Sequence, residues 1–586
     1  MARSMPRPWR FCPHDSSQVR HLSGTLGVSP LVAQVLLARG YGTTDEARAF
    51  LDPKLTNLHD PELLPGVADA ADRIVSALRA GRRITVYGDY DVDGVTATSL
   101  LWHCLKLAGA NVDYYIPCRM EEGYGLNCEA IRQLHAEDPR RLLVSVDCGI
   151  CSVEEAALAK QLGLELIVTD HHQMDAELPN ADCLVHPRLP GSEYPFGELC
   201  GVGVAFKLAW AVCQRLGDGR KASPHMREFL LSAVGLTAIG TIADAVPLRG
   251  ENRVLVRFGL GSLVHRASPG LKALMQTAKL NGNGTLRADN VAYALAPRIN
   301  AAGRLGQARL AVELLTTDDE HRAAQLAAYL ERLNLDRRTV ERRMMKQAKE
   351  LIAKHPAWNE QPALVLAHSD WHAGVIGIVA SRVAEQFQKP AVLISLNDAT
   401  RTGQGSARSF AGFDLHAALS ACSEHLISCG GHQAAAGLRI DTGKIDTFRE
   451  AFCRYALENH SVTDRDLELR VDAEIRFADL TLRAVHELDR LGPFGQQNLS
   501  PVFAATRVEL AGPPRKIGEG ENHLLLRVRQ FGTTMKAVAF GRSGWADEMA
   551  QTDGPLSLCF SAGINEWQGR KSVELFLEDW QPDGNP

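Results

Sequence analysis

An excess of either charge is what this sequence lacks first: 64 Lys and Arg stand against 69 Asp and Glu, for a formal charge of −5 and a pI near 6.5. Global electrostatics therefore do not draw the chain to polyanions, and any basic channel has to be local, set against acids elsewhere. No G-x-x-x-x-G-K-[ST] loop is present, so nothing points to ATP hydrolysis. The thirteen cysteines, an odd number, are scattered; Cys148 and Cys151 form the only C-x-x-C, and no second pair lies at zinc spacing. That spread suits reduced thiols in a cytoplasm rather than a disulfide framework, and Cys148 reads as small buried packing. Low-complexity blocks are missing, and 45% hydrophobic with 23% charged residues is an ordinary globular composition. The basic N-terminus, MARSMPRPWRF, has no apolar h-region, and charges or turn residues interrupt the long apolar runs; neither export nor membrane insertion is expected. At 586 residues the chain is long for one core and predicts three or four domains.

What the sequence has is a run of acids behind a short apolar segment. Ile84 to Thr98 reads ITVYGDYDVDGVTAT, with Asp89, Asp91 and Asp93 two residues apart. In extended backbone a period of two aims alternate side chains to one side, so the three carboxylates can converge past a strand end. Acids this close repel, and a divalent cation relieves them; carboxylate-rich sites favour hard, oxygen-seeking metals. Alone, the stretch reads equally well as an acidic turn. Two later runs have the same form: LLVSVDCG ends in Asp147, and LELIVTDHH ends in Asp170, His171 and His172. Near-continuous apolar strands separated by helix-like segments at 94–109 and 151–162 predict βαβ units and a parallel sheet buried on both faces. In such sheets ligands bind beyond the carboxyl ends of the strands, so Asp91, Asp93, Asp147, His171 and His172 would share one rim.

GDYDVDG, SVDCG and T-D-H-H resemble the motifs of the DHH phosphoesterase superfamily, and the remainder of the chain is similar to its RecJ family, the single-strand-specific 5′-to-3′ exonuclease branch. The resemblance implies that Asp91, Asp93, Asp147 and His171 hold catalytic metal, joined by Asp244 in LTAIGTIADAVP. Some relatives carry His where this chain has Asp89; an acid there can still ligate metal or orient water. In NVDYYIPCRMEEGYGLN the resemblance assigns Arg119 to the substrate's terminal phosphate, where the residues alone give a loop with an exposed arginine. PRINAAGRLG offers Arg298 and Arg304 around a Gly-rich turn, either for phosphate contact or as structure.

From 319 to 355 helical spacing without Gly or Pro predicts a helix of roughly 50 Å that can bridge two domains. Arg337, Arg338, Arg342, Arg343, Lys346 and Lys349 give it a basic region, which is a solvated face or, beside a groove, a phosphate track. The α/β segment that follows resembles a DHHA1-type domain. In its GQGSARSF, Ser406 and Arg408 place a hydroxyl and a guanidinium on a flexible turn able to grip a terminal phosphate, as the matching pair does in the RecJ family. In GGHQAAAG, His432 follows Gly430 and Gly431, either near substrate or in a plain tight turn. After 465 short β-like runs predict a small barrel, and LGPFGQQN resembles the signature ahead of an OB-fold, with Asn498-Leu499 where the family has Asn-Pro. Arg515, Lys516, Arg527, Arg529, Lys536 and Arg570 with Phe531, Trp545 and Trp567 make the charge-plus-stacking mixture of single-strand binders.

The expected architecture is multidomain α/β: a helical lead-in (1–65), a parallel-sheet DHH domain (66–318), a connecting helix (319–358), a DHHA1-type domain (359–460) and an OB-fold barrel (461–586). The expected activity is metal-dependent 5′-to-3′ degradation of single-stranded DNA to mononucleotides in repair and recombination. Two ions, Mn²⁺ before Mg²⁺, would sit about 3.5 to 4 Å apart. His172 would contact the phosphate or the leaving oxygen. A cytoplasmic monomer is expected, with a single-strand-binding protein and a helicase as candidate partners. Two other readings are a phosphodiesterase for short oligonucleotides or cyclic dinucleotides and a non-catalytic replication scaffold.

Overall fold

Five short apolar runs set the first sheet: β1 (Arg83–Tyr87), β2 (Asn111–Tyr115), β3 (Leu142–Val146), β4 (Glu165–Thr169) and β5 (Cys183–Val185). They are parallel throughout, in the order β2-β1-β3-β4-β5. Helices cover the sheet, so β3 is buried at every residue, which is why it is apolar without alternation. The order reverses between β1 and β3, and the crevice beyond the carboxyl ends at such a reversal is where open α/β sheets bind ligands. The computed structural model describes residues 7–119, 122–280 and 286–584. Contacts divide the chain into one unit of Leu55–Val462 and a second built from its two ends, Met1–Lys54 with Thr463–Pro586.

In the first unit α1 (Val92–Leu107) leaves β1 directly and is buried nearly all round, against α2 (Gly201–Arg215) and α3 (Pro224–Ala243). By length and apolarity α3 would suit a bilayer; packing against α1, α2 and the helix Gly250–His265 accounts for its composition here. PRINAAGRLG is not a turn. A π-helical step, Val291–Leu295, runs into α4 (Ala296–Arg304), with Pro297 in its first turn, where a missing N–H costs nothing.

The basic segment forms α5 (Glu320–Lys354), capped by Asp319, whose carboxylate accepts from the His321 and Arg322 amides. Its first half contributes Ala323, Leu326, Ala327 and Leu330 to the core under the first sheet, and its second half gives Met344, Ala348 and Ile352 to another core. That second core belongs to a sheet of β6 (Leu364–His368), β7 (Ala391–Asn397), β8 (Thr402–Arg408), β9 (Leu426–Gly431) and β10 (Ala435–Asp441), ordered β9-β10-β8-β7-β6, with α6 (Ile376–Phe387) packed on it. Ser406 and Arg408 therefore lie on the central strand, not on a flexible turn. The glycines that suggested a turn face side chains: a Cβ on Gly405 would come 2.6 Å from Leu438.

In the second unit the helices Ser16–Leu26, Pro30–Ala38 and Thr44–Leu51 pack on a barrel. Strands Phe503–Leu510, His523–Gln530, Thr533–Ala539, Leu556–Trp567 and Arg570–Pro582 form it, and pairing of the first with both Leu556–Trp567 and His523–Gln530 wraps the sheet round. Asn498 is buried beneath it, donating to the Leu491 and Pro493 carbonyls at 3.0 and 2.7 Å and accepting from Arg39. All thirteen cysteines are free thiols.

Candidate metal centre and phosphate pocket

Three strand ends deliver the acids. After β1 the chain turns into helix at once, so Asp89, Asp91 and Asp93 do not converge by strand alternation. Asp91 is the N-cap of α1, its Oδ1 accepting from the Asp93 and Gly94 amides at 2.8 and 3.1 Å. Asp93, in the first turn, reaches across to cap α2, accepting from the Gly201 and Val202 amides at 2.6 and 2.9 Å. Asp147 follows β3 in a left-handed backbone conformation, φ 62°, that a non-glycine residue adopts only under constraint. Gly201 makes room for it: a Cβ there would stand 2.3 Å from Asp147 Oδ1. Asp244 closes the set from the C-terminal end of α3.

His171 Nε2 lies 3.2 Å from Asp147 Oδ1, 3.6 Å from Asp244 Oδ2 and 3.8 Å from Asp93 Oδ2. Three overlapping donor groups result, Asp89–Asp91–Asp147, Asp93–His171–Asp244 and Asp147–His171–His172, each with its donor atoms within 4.8 Å of one another. Among the described residues, Asp89 Oδ1, Asp147 Oδ1 and His171 Nε2 are buried without a hydrogen-bond partner. Burial, then the neighbouring acids, pushes Asp89 and Asp147 well above the carboxylate range, Asp93 to about 7 and Asp244 to about 8. Burial, then His172, pushes His171 down to about 3, which leaves it neutral with a lone pair to offer. Orphaned carboxylate oxygens around a neutral imidazole fit hard divalent cations, and sharing of Asp147 and His171 between groups fits two.

The loop after β4 is held from both sides. Asp170 accepts from the Ile150 amide at 3.0 Å, the His171 amide at 2.7 Å, the His172 amide at 3.2 Å and His172 Nδ1 at 2.7 Å. Burial opposes a charge on His172, but this bond together with the charges of Asp170, Asp244 and Asp93 outweighs it and raises the imidazole to about 9. From the opposite side the fully buried His186 donates from Nε2 to the His172 carbonyl at 2.8 Å and accepts the Arg188 amide on Nδ1 at 3.0 Å, which fixes its tautomer. The Arg188 guanidinium donates to the His171 carbonyl at 2.9 Å.

Beside the acids is a cluster of the opposite sign. One cleft of about 260 Å³ is lined by Asp89, Tyr90, Asp91, Arg119, Tyr124, Ala243, Asn300 and Arg304. Arg304, at the end of α4, donates to the Gly374 carbonyl at 3.2 Å, and a Cβ on Gly303 would fall 2.1 Å from the Tyr90 carbonyl oxygen, so glycine lets α4 lie against the β1 loop. Burial, then Arg119, Arg337 and Arg408, lowers the Arg304 guanidinium to about 10. Arg408 is lowered by burial and by Arg119, and it donates to Ser406 Oγ at 2.9 Å. Gly377, in the first turn of α6, admits this pair: a Cβ would stand 2.7 Å from the guanidinium and 3.1 Å from the hydroxyl. Among the described residues none of Arg119, Arg304 and Arg408 pairs with an acid, while their side chains crowd together. Convergent, unneutralised guanidiniums beside a hydroxyl constitute an anion site.

Of the remaining sequence-derived candidates, one is turned elsewhere and one is exposed on the neighbouring hairpin. Arg298 points away from the cleft, ion-paired to Glu331 of α5 at 2.6 Å and donating to the Ala294 carbonyl at 2.6 Å. His432 is exposed at the tip of the β9–β10 hairpin, its amide donating to the Ala435 carbonyl at 2.8 Å; Ala435 is opposite Arg408, which places the hairpin tip at that end of the sheet. His186, Arg188, Asn300 and the α2 amides were not singled out from sequence, and Asp170 was named only as part of the strand-end run; the H-P-R run after β5 and the closely spaced Gly201 and Gly203 were the only local signals for the others. On the barrel Phe531 is 66% exposed with Arg476 over its ring, and Arg542 covers Trp545. Arg529 pairs with Glu509, Lys536 with Glu574 and Lys516 with Asp547, while the side chain of Trp567 is outside the described set.

Three family models match the chain: the DHH family N-terminal domain at 83–237, the DHHA1 domain at 360–458 and the RecJ OB domain at 471–579. The single-stranded-DNA-specific exonuclease RecJ of Bacillus subtilis is 38% identical over 97% of this chain and 70% of its own length. The Escherichia coli protein of the same name is 32% identical over 94% of this chain and 96% of its own. The crystal structure of RecJ in complex with Mn²⁺ from Thermus thermophilus superposes with a TM-score of 0.82 at 32% identity, covering 99% of this chain and 80% of that one. With a parallel sheet whose strand ends carry the acids, a second sheet bearing the Ser–Arg pair and a barrel after them, the chain belongs to the RecJ family.

Proposed function

We propose that the chain is a divalent-metal-dependent exonuclease that removes mononucleotides from the 5′ end of single-stranded DNA. The observation that carries this reading is the shared cleft: Asp89 and Asp91 line it together with Arg119 and Arg304. A terminal phosphate seated on the arginines places the first linkage toward the acids, so recognition of the end and hydrolysis occur in one step of binding. Asp89, Asp91, Asp93, Asp147, His171 and Asp244 would hold two ions, Mn²⁺ or Mg²⁺. When bound, the ions supply Lewis acidity that activates water and neutralises charge on the phosphate.

The rest falls to the protein's own groups. Arg119, Arg304, Arg408 and Ser406 bind the terminal phosphate through charge-assisted hydrogen bonds. His172, kept cationic by Asp170, donates to the scissile phosphate or the departing oxygen. Asp170, His186 and Arg188 hold the His171–His172 backbone so that neither imidazole reorients during turnover. The barrel's exposed Phe531 and its cationic residues suit single-strand binding, where stacking contributes about 1 to 3 kcal/mol per base. Repair and recombination follow as the setting. A cytoplasmic monomer served by a single-strand-binding protein and a helicase completes the reading.

The test is hydrolysis of a long single strand labelled separately at each end, with and without a 5′ phosphate, in Mn²⁺. Mononucleotides should come from the 5′ label, none should come from blunt duplex, and Asp147→Ala should abolish release. Arg408→Ala should remove the preference for the phosphorylated end while leaving residual cleavage. A preference untouched in Arg408→Ala, or activity confined to dinucleotides, would sink the reading.

A further inference from the structure

The buried stripe of α5 changes character once along its length. Ala323, Leu326, Ala327 and Leu330 face one core and Met344, Ala348 and Ile352 another, but the inward positions between them are Asn334, Arg337 and Glu341. Spacing of three and four runs through the whole series, so the polar trio occupies the same helix face. Asn334 and Glu341 are buried and the Arg337 side chain is 11% exposed, whereas Arg338, Arg342, Arg343, Lys346 and Lys349, the other basic residues of the segment, are exposed. Arg337 donates to Glu341 Oε2 at 2.7 Å and to Asn334 Oδ1 at 3.0 Å, and Glu341 Oε1 pairs with Arg382 of α6 at 2.6 Å. Among the described residues, Arg337 Nε is buried without a hydrogen-bond partner. Taking these charges out of water costs free energy that apolar residues at the same positions would not, so stability does not account for the trio.

The two cores belong to the sheets whose ends carry the acids and the Ser–Arg pair, and the polar turn of α5 lies between them. Arg337 does not line the cleft, but its charge acts on the Arg304 guanidinium more strongly than that of Arg408 does, which puts it close behind the phosphate pocket. Arg382 follows Gly377, the glycine that admits Arg408 and Ser406, on the same helix. Glu341 thus ties α5 behind Arg304 to α6 beside Arg408. We propose that Arg337 is a positioning residue for end recognition: held by Asn334 and Glu341, it adds a positive charge behind Arg304 and so sets how strongly the pocket prefers a 5′ phosphate to a 5′ hydroxyl. The inference rests on the phosphate-pocket reading above. A terminal monoester carries about 1.5 to 2 negative charges near pH 7 and a hydroxyl none, so added positive potential favours the phosphorylated end. Glu341 holds the guanidinium in place and also offsets part of its charge. Removing one charge or the other therefore moves recognition in opposite directions.

The test compares 5′-phosphorylated and 5′-hydroxyl strands of one sequence in two assays with the full chain. One is kcat and KM of hydrolysis in Mn²⁺; the other is binding of a 3′-fluorescein strand in EDTA, read by anisotropy, in which hydrolysis plays no part. Arg337→Met keeps an unbranched stem and removes the charge; it should lower the affinity ratio of phosphorylated to hydroxyl strand by at least about threefold, through KM rather than kcat. Arg337→Lys should restore part of the ratio, since the charge returns without the fork. Glu341→Gln keeps an acceptor for Arg337 but loses the negative charge, and should raise the ratio by about the same factor. Circular dichroism checks the fold of each variant. Loss of a merely structural ion pair would lower the ratio in both Arg337→Met and Glu341→Gln, so opposite movement is the signature. The proposal is overturned if Arg337→Met leaves the ratio unchanged or if the two variants move it the same way. Should Arg337→Met misfold, a ratio that stays or falls in Glu341→Gln overturns it. A wild type indifferent to the 5′ phosphate overturns the pocket reading and this inference together, whereas a wild-type preference kept in full by Arg337→Met overturns this inference alone.

Discussion

Asp170→Asn removes the largest influence that keeps His172 charged. In the wild type Oδ1 accepts three donors, the His171 amide, the His172 amide and His172 Nδ1, and Oδ2 accepts the Ile150 amide. Asparagine keeps one oxygen for the first three but turns an NH₂ toward Ile150, so a buried hydrogen bond is lost at about 1–3 kcal/mol. The protein should stay folded, since this is a fraction of a domain's stability. The larger effect is on the imidazole. With its carboxylate partner, His172 sits at about 9 and is roughly 90% protonated at pH 8; at the ordinary 6.5 only about 3% would be. Bound cations offset the contributions of Asp244 and Asp93 but leave the Asp170 bond, which is the largest raising influence. The sign follows: a raised His pKa keeps the cation until pH rises through about 9, and loss of the partner moves that limit down toward 6.5. Expected is a drop in kcat of about thirtyfold at pH 8, with KM for 5′-phosphorylated single strand little changed, and an activity that declines about tenfold per unit above neutrality. Steady-state rates from pH 6 to 9 in Mn²⁺ read this. A variant whose pH profile and kcat match the wild type would refute the assignment of His172 as a cation held by Asp170.

Two further substitutions test how the site is built. Gly201→Ala should reduce metal affinity or activity by about 10- to 100-fold, because its Cβ would displace the Asp147 carboxylate; Mn²⁺ titration followed by electron paramagnetic resonance reads the affinity directly, and unchanged binding would refute the close-packing argument. Arg298→Ala should leave the 5′-phosphate preference intact and cost about 1–3 kcal/mol in urea denaturation, since it strands the Oε2 of Glu331 beside α4; a lost preference with unchanged stability would return Arg298 to the pocket.

Asp89, Asp147 and the Asp170–His172 run were legible in the sequence because each follows a short apolar run, and a run buried on both faces leaves only its end to do chemistry, whereas Asp244, at the end of α3, came only from the resemblance. Asp147, Asp170, His171 and His172 stand where that logic puts them, and the reversal between β1 and β3 brings them together. The phosphate pocket was legible as residue types but not as structure, and the reason is glycine. Gly303, Gly403 and Gly405 look like turn punctuation, yet they sit in a helix and a strand. Each is small because something presses on it: the Tyr90 carbonyl at 2.1 Å from a Cβ on Gly303, Ile394 at 2.5 Å from one on Gly403 and Leu438 at 2.6 Å from one on Gly405. A glycine that frees the backbone and a glycine that admits a neighbour are the same letter, and only the neighbour distinguishes them. Long-range partners were silent for a related reason. The helix Pro30–Ala38 shows its own spacing and cap, but Gln34 donates to the Asp472 carbonyl at 3.1 Å and Ser29 to Glu487 at 2.7 Å, across more than four hundred residues that no local period connects. Arg298 fails likewise: its partner Glu331 is fixed by the phase of α5, which the arginine's own surroundings do not carry. Local pattern thus finds elements and the chemistry at their ends, whereas which cation is spent on structure and which is left for a phosphate is settled by the partner that packing brings to it.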